Sequence, residues 1–135
     1  MKFSNRSSLK IDTCHEKIQL LLNEAIKTSP IDFGISHGHR TPEEQKALFD
    51  KGRTAKGVIV TNCDGYRILS KHNHSPSIAF DVFCWPRDIM YNEQSLTIVA
   101  GHILLTAQRL GINLQWGGLW KFKDLPHFEL RKDYI

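Results

Sequence analysis

The sequence predicts an α+β domain, a small antiparallel sheet with helices packed on one face. Three observations carry this. Apolar residues recur at helical spacing in separate segments, short β-branched or aromatic runs lie between them, and the two alternate without a βαβ rhythm. The length of 135 residues matches one domain, residues 1–135, large enough to bury a core without staples.

The first helix is expected from Thr13. Thr13-Cys14-His15-Glu16 has capping-box spacing, Ile18, Leu21, Leu22, Ala25 and Ile26 share one face, and Pro30 ends the segment. Phe33–His37 reads as a short strand. Thr41-Pro42-Glu43-Glu44 starts a second helix with proline at its first position, and that helix stops near Gly52. Residues 53–77 read as a long loop with one short strand at 58–61; a loop of this length is either functional or disordered. Residues 78–83 form a buried strand that contains one acidic residue, Asp81. A third helix begins at Glu93 or Gln94 and ends at Gly111 as its left-handed cap. Two short strands follow, 113–116 and 127–130, joined through a Gly-Gly turn.

Hydrophobic residues make up 41% and charged residues 24%, as in ordinary globular proteins. No run of about 18 apolar residues is present to span a membrane. The net charge of +4 favours approach to a polyanion such as an acidic cell wall, but the basic residues are scattered, and nucleic-acid binding is not expected. Three cysteines without C-x-x-C spacing read as free thiols. The opening Met-Lys-Phe-Ser-Asn-Arg lacks a signal peptide's apolar stretch, so synthesis in the cytoplasm is expected.

Chemistry concentrates in two segments. One is Ser70-Lys71-His72-Asn73-His74 followed by Asp81, and the other is Asp124-Leu125-Pro126-His127-Phe128-Glu129. A catalytic zinc site needs three His or carboxylate ligands and an open position for water, and these segments hold such a set. Asp81 between Phe80 and Val82 is costly to bury unless it is paired or bound to a metal. The plainer alternatives are a solvent-facing Asp81 and a hydrogen-bonded structural His127.

Ser-Lys-His-Asn-x-x-Pro-Ser-x-Ala-x-Asp, residues 70 to 81, resembles the first zinc motif of the D-Ala-D-Ala carboxypeptidase and L-alanyl-D-glutamate endopeptidase family. That family includes VanY-like enzymes and phage endolysins and shares its fold with the Hedgehog signalling domain. Trp116-Gly117-Gly118 through Asp124-x-x-His127-Phe128-Glu129-Leu130 is similar to the second motif. Gly38-His39-Arg40-Thr41 and Gln45 resemble the upstream segment, and together the likeness covers about residues 18 to 130.

The resemblance implies His72, Asp81 and His127 as zinc ligands, Asp124 as general base, and Arg40 as a clamp on the substrate or transition state. Arg40, Gln45 and Ser70 would bind substrate. His74 competes with His72 for the ligand role; Ser-x-His spacing favours His72. Leu119 departs from the acidic residue that relatives often carry after Trp-Gly-Gly. His37 and His39 read as exposed strand-end histidines, Trp85, Trp116 and Trp120 as core or rim packing, and Cys63 and Cys84 as uninvolved with metal.

The implied protein is a monomeric zinc metallopeptidase of 135 residues in one domain, cleaving peptidoglycan stem peptides as a phage or prophage endolysin. It would be made in the host cytoplasm and reach the wall once the membrane opens, with no stable membrane association. The alternatives are a D,D-carboxypeptidase that removes terminal D-Ala and a non-catalytic zinc module of the Hedgehog type.

Overall fold

The structure, a computed structural model, describes residues 1–132. The last three residues of the expected domain lie outside the described residues. Four helices, α1 (Asn5–Ile11), α2 (Glu16–Thr28), α3 (Pro42–Asp50) and α4 (Glu93–Leu110), accompany four strands, β1 (Phe33–His37), β2 (Ala79–Cys84), β3 (Leu114–Trp116) and β4 (His127–Leu130). The sheet is antiparallel throughout, in the order β1-β2-β4-β3.

The apolar stripe of α2 and one face of α4 cover one side of the sheet. Ile18, Leu21, Leu22, Ala25, Val99, Ala100 and Ile103 are fully buried there with Phe80, Val82 and Phe128 from the strands. Burying side chains of this size contributes roughly 1.5–3 kcal/mol each, so this layer is the main source of stability. The left-handed Gly111, at φ 70°, closes α4 as expected. Helix α3 stands on the other side, and its one buried residue is Gln45.

Three expectations are corrected. Helix α1 was not foreseen: its sequence is mostly polar, and only Ser7 and Ile11 are buried. Ser4 caps it, and Ser7 Oγ accepts from the Ile35 amide at 3.0 Å, which occupies an open donor of edge strand β1. Helix α2 begins three residues later than Thr13. His15 is its cap, with Nδ1 accepting from the Lys17 amide at 3.1 Å, because the preceding segment pairs with Ser77 instead. Residues 58–61 form no strand; Val58, Ile59 and Val60 are 75%, 59% and 55% exposed, with neither a buried face nor a partner strand to reward extension.

The long loop is ordered all the same. Arg53 donates to the Thr61 carbonyl and Asn62, and stacks 3.8 Å above the Phe49 ring. Asp64 Oδ1 accepts from the amides of Tyr66, Arg67 and Ile68. The loop thereby forms one wall of the cleft over the sheet's open face.

Candidate metal centre

Strands β2 and β4 lie side by side in the middle of the sheet. Their register pairs Phe80 with Phe128 and Asp81 with His127. Alternation sends the two phenylalanines into the core, where their rings stack 5.0 Å apart, and the Asp and His to the open face. A register irregularity between Ile35 and His37 brings His37 opposite Asp81 as well.

His72 arrives from outside the sheet, on a single 3-10 turn, Lys71–Asn73. Ser70 and Asn73 close that turn as a capping box: Ser70 Oγ accepts from the His72 amide, and Asn73 Oδ1 accepts from the Ser70 amide at 2.8 Å. Asn73 Nδ2 donates to the Arg40 carbonyl, and the Arg40 amide donates to the His72 carbonyl, both at 2.8 Å. The two segments are therefore stitched together, and His72 is only 2% exposed.

His72 Nε2, Asp81 Oδ1 and His127 Nδ1 form a triangle with edges of 3.1, 3.2 and 3.4 Å. Tetrahedral zinc with ligands at roughly 2.0–2.1 Å has ligand–ligand edges of about 3.3–3.4 Å, so the triangle fits such a cation. It is the metal-ligating group that converges among the described residues. The outer nitrogens fix the tautomers. His72 Nδ1 lies 2.8 Å from the Gly38 carbonyl, which can only accept, so the lone pair of Nε2 faces the triangle. His127 Nε2 donates to Glu129 Oε1 at 2.9 Å, which turns Nδ1 inward.

Electrostatics follow the geometry. Burial alone would raise the Asp81 pKa, but hydrogen bonds from His127, His37 and His72 hold it well below the usual carboxylate range. Its second oxygen faces His37 Nδ1 at 3.4 Å and Arg40 Nη2 at 3.7 Å. Burial pulls the His127 pKa down, yet hydrogen bonds to Asp81 and Glu129 outweigh it and raise it to about 9. A cation in the triangle would replace the proton that Nδ1 otherwise carries.

Asp124 lines the same cleft, a cavity of about 480 Å³ that also exposes Arg40, Cys63, Ser70 and Trp120. Burial, then the charge of Asp81, pushes its carboxyl above the ordinary range. The Trp-Gly-Gly motif explains how this side chain is held. The Asp124 amide donates to the Gly117 carbonyl at 2.9 Å, and a Cβ on Gly117 would lie 2.5 Å from the Asp124 carbonyl oxygen. Trp116 folds its ring against Gly118 and donates from Nε1 to the Leu125 carbonyl at 2.7 Å.

The structure sorts the remaining expectations. His74 is exposed and outside the triangle. Gln45 is fully buried, so it cannot touch a substrate; it accepts from Arg40 Nη1 at 2.8 Å and donates to the Cys63 carbonyl, and so positions Arg40. Ser70 reaches the cleft, and its Oγ also accepts from the His72 amide in the 3-10 turn. Trp116 is core, Trp85 exposed, and Trp120 packs 5.2 Å from the His127 ring at the rim. Leu119 is 77% exposed. Sequence reasoning missed His37, whose approach to Asp81 depends on the register irregularity, and the pairing of Glu129 with His127. Strand alternation already placed Glu129 on that face.

A family model described as phage L-alanyl-D-glutamate peptidase matches residues 1–135. The chain belongs to that family. Among curated proteins, the peptidoglycan L-alanyl-D-glutamate endopeptidase CwlK of Bacillus subtilis (strain 168) is 34% identical over 116 residues, 81% of this chain. The match spans 66% of that relative, just under two thirds of its length. Among solved structures, the crystal structure of Serratia marcescens L-Ala D-Glu endopeptidase ChiX resembles this one with a TM-score of 0.77 at 25% identity, covering 97% of this chain and 90% of that one. Family members of this description are hydrolases, and the mixed fold with a four-stranded antiparallel sheet is theirs as well.

Proposed function

We propose that this chain, as a single zinc peptidase domain, hydrolyses the L-alanyl-D-glutamate bond in peptidoglycan stem peptides and serves as a phage or prophage endolysin. The observation that carries the reading is the His72–Asp81–His127 triangle at the floor of a cleft that also holds Asp124 and Arg40. Two imidazoles and one carboxylate would suit zinc, and His72, Asp81 and His127 would hold it.

When bound, the metal supplies Lewis acidity and brings the pKa of water toward neutrality. Asp124 stands in the cleft without belonging to the triangle, and burial raises its pKa above the ordinary carboxylate value, which makes it a stronger base than a free aspartate. It takes the proton of the attacking water as a C–O bond forms to the L-alanyl carbonyl carbon. It returns a proton to the D-glutamate nitrogen as the C–N bond breaks. Arg40, half-buried and braced by Gln45, offers a fixed cation to the oxygen that gains charge.

Among the described residues no helix is long and apolar enough to cross a membrane. Synthesis in the host cytoplasm, access to the wall after membrane opening and action as a monomer complete the proposal.

Turbidity of permeabilised bacteria should fall with the protein and stay constant with chelator present. Mass spectrometry of the digest should show a new amino terminus on D-glutamate and a free L-alanine carboxylate. Release of D-Ala alone would overturn the endopeptidase reading in favour of a carboxypeptidase. Clearing that survives complete metal removal would overturn the metal centre.

A further inference from the structure

Beside the catalytic cleft opens a second cavity of about 720 Å³. Both linings include Lys71 and Glu129, so the two cavities adjoin along one face, and we call the second the trough. His74, Gln115, Arg131 and Lys132 line the far part. Alternation along β4 puts His127 and Glu129 on the open face, with Gln115 paired opposite Glu129, and Arg131 follows just past the strand end. Lys71, His74, Arg131 and Lys132 are all exposed. Among the described residues none of the ion pairs uses Lys71, Arg131 or Lys132, while Glu129, the one carboxylate of this cavity, is engaged by His127. The trough thus adjoins a cleft crowded with carboxylates and presents a wall of uncommitted cations.

The substrate of the proposed reaction is asymmetric in charge. On the L-alanine side the stem is joined to the glycan through an amide and presents no free carboxylate. On the D-glutamate side the chain continues through the side-chain carboxyl, which leaves the α-carboxylate free, and later residues add more. Cations can discriminate only on that second side.

We propose that the Lys71–Arg131 trough is the subsite for the D-glutamate half of the stem peptide, with Lys71 and Arg131 meeting its free carboxylates and His74 at the margin. This rests on the reading of the cleft as an L-alanyl-D-glutamate endopeptidase and gives the substrate its direction. It also assigns a specificity: stems whose D-glutamate α-carboxylate is amidated bind less well.

The test is binding rather than turnover. The full chain carrying Asp124→Asn, loaded with metal, is titrated with N-acetyl-L-Ala-γ-D-Glu-L-lysinamide, whose only carboxylate, the α-carboxylate of D-glutamate, is either free or amidated. Adding Lys71→Gln and Arg131→Gln should weaken binding of the free acid about five- to tenfold, as for exposed ion pairs, and change the amide less than about twofold. The charge-keeping pair Lys71→Arg and Arg131→Lys should restore most of the loss, which separates charge from folding. Salt of about 0.5 M should collapse the difference between the two peptides. Equal loss for both peptides, or no loss for either, would overturn the subsite. Turnover by the unaltered chain is measured separately: carboxylate-dependent binding without L-Ala–D-Glu cleavage would support the subsite and overturn the reaction.

Discussion

Glu129 Oε1 accepts a 2.9 Å hydrogen bond from Nε2 of His127, two residues earlier on the same strand. The carboxylate orients the ring so that Nδ1, not Nε2, faces Asp81. Glu129→Ala should therefore lower metal affinity about 10–100-fold, the usual effect of losing an outer partner of a ligating histidine. Competition titration with a chelator measures this. Unchanged affinity would mean that packing alone sets the ring.

Metal content should distinguish the two histidines of the first segment. His72→Ala removes one corner of the triangle and should abolish stoichiometric metal in protein purified without added metal. His74→Ala alters an exposed side chain and should leave it intact. Elemental analysis of the two purified variants decides, and the opposite pattern would move the ligand role to His74.

Asp124→Asn keeps the size of the side chain but cannot accept a proton near neutral pH. Hydrolysis should fall by at least about a hundredfold, within the range for general base catalysis. Metal content and melting temperature should hardly change, because all three corners remain. Loss of metal would make Asp124 a ligand, and near-normal hydrolysis would reduce it to a turn residue.

Metal affinity should rise with pH. Without a cation, His127 carries its proton up to about pH 9. The incoming metal must displace that proton, so apparent affinity should drop about tenfold per pH unit on going down from pH 9. The metal-free chain should show the opposite trend in stability. The raised His127 pKa contributes stability that is fully present below the ordinary value of 6.5 and is lost as pH rises through about 9. Isothermal titration and thermal melts across pH 6.5–9 test both signs.

Gly117→Ala tests the positioning of Asp124 from a distance. The new Cβ would meet the Asp124 carbonyl oxygen at 2.5 Å, so the turn must move. A displacement of about 1 Å can cost about a hundredfold in rate, and a drop of at least tenfold with metal retained is expected. Steady-state hydrolysis alongside metal analysis reads the two effects apart.

Much of this was legible in the sequence, and the exceptions share a cause. Strands β1 and β4 and helices α3 and α4 follow from period, capping and terminal glycine, all local signals. Asp81 stood out as an acidic residue inside an apolar strand, while His72 and His127 were singled out as its partners by the family resemblance. Helix α1 did not, since it lacks a repeating apolar stripe and depends on the Ser7–Ile35 hydrogen bond, a contact between residues 28 positions apart. The run at 58–61 misled because β-branched side chains favour extension only where a sheet receives them. His37 became visible as a neighbour of Asp81 only through an irregular strand pairing, and Gln45 as a brace only through its burial.

The central strands carry chemistry and core on alternate residues of the same two rungs. Inserting or deleting one residue within β4 would turn Phe128 to water and drive His127 into the apolar layer. A shift of register at these positions would therefore disturb the triangle and the core together. The segments free to change length are the rim loops, where Val58, Ile59, Leu119 and Phe122 already face solvent. Retargeting this scaffold to another crosslinked polymer would begin with those loops, with the strands kept as an inheritance that tolerates no frameshift of register.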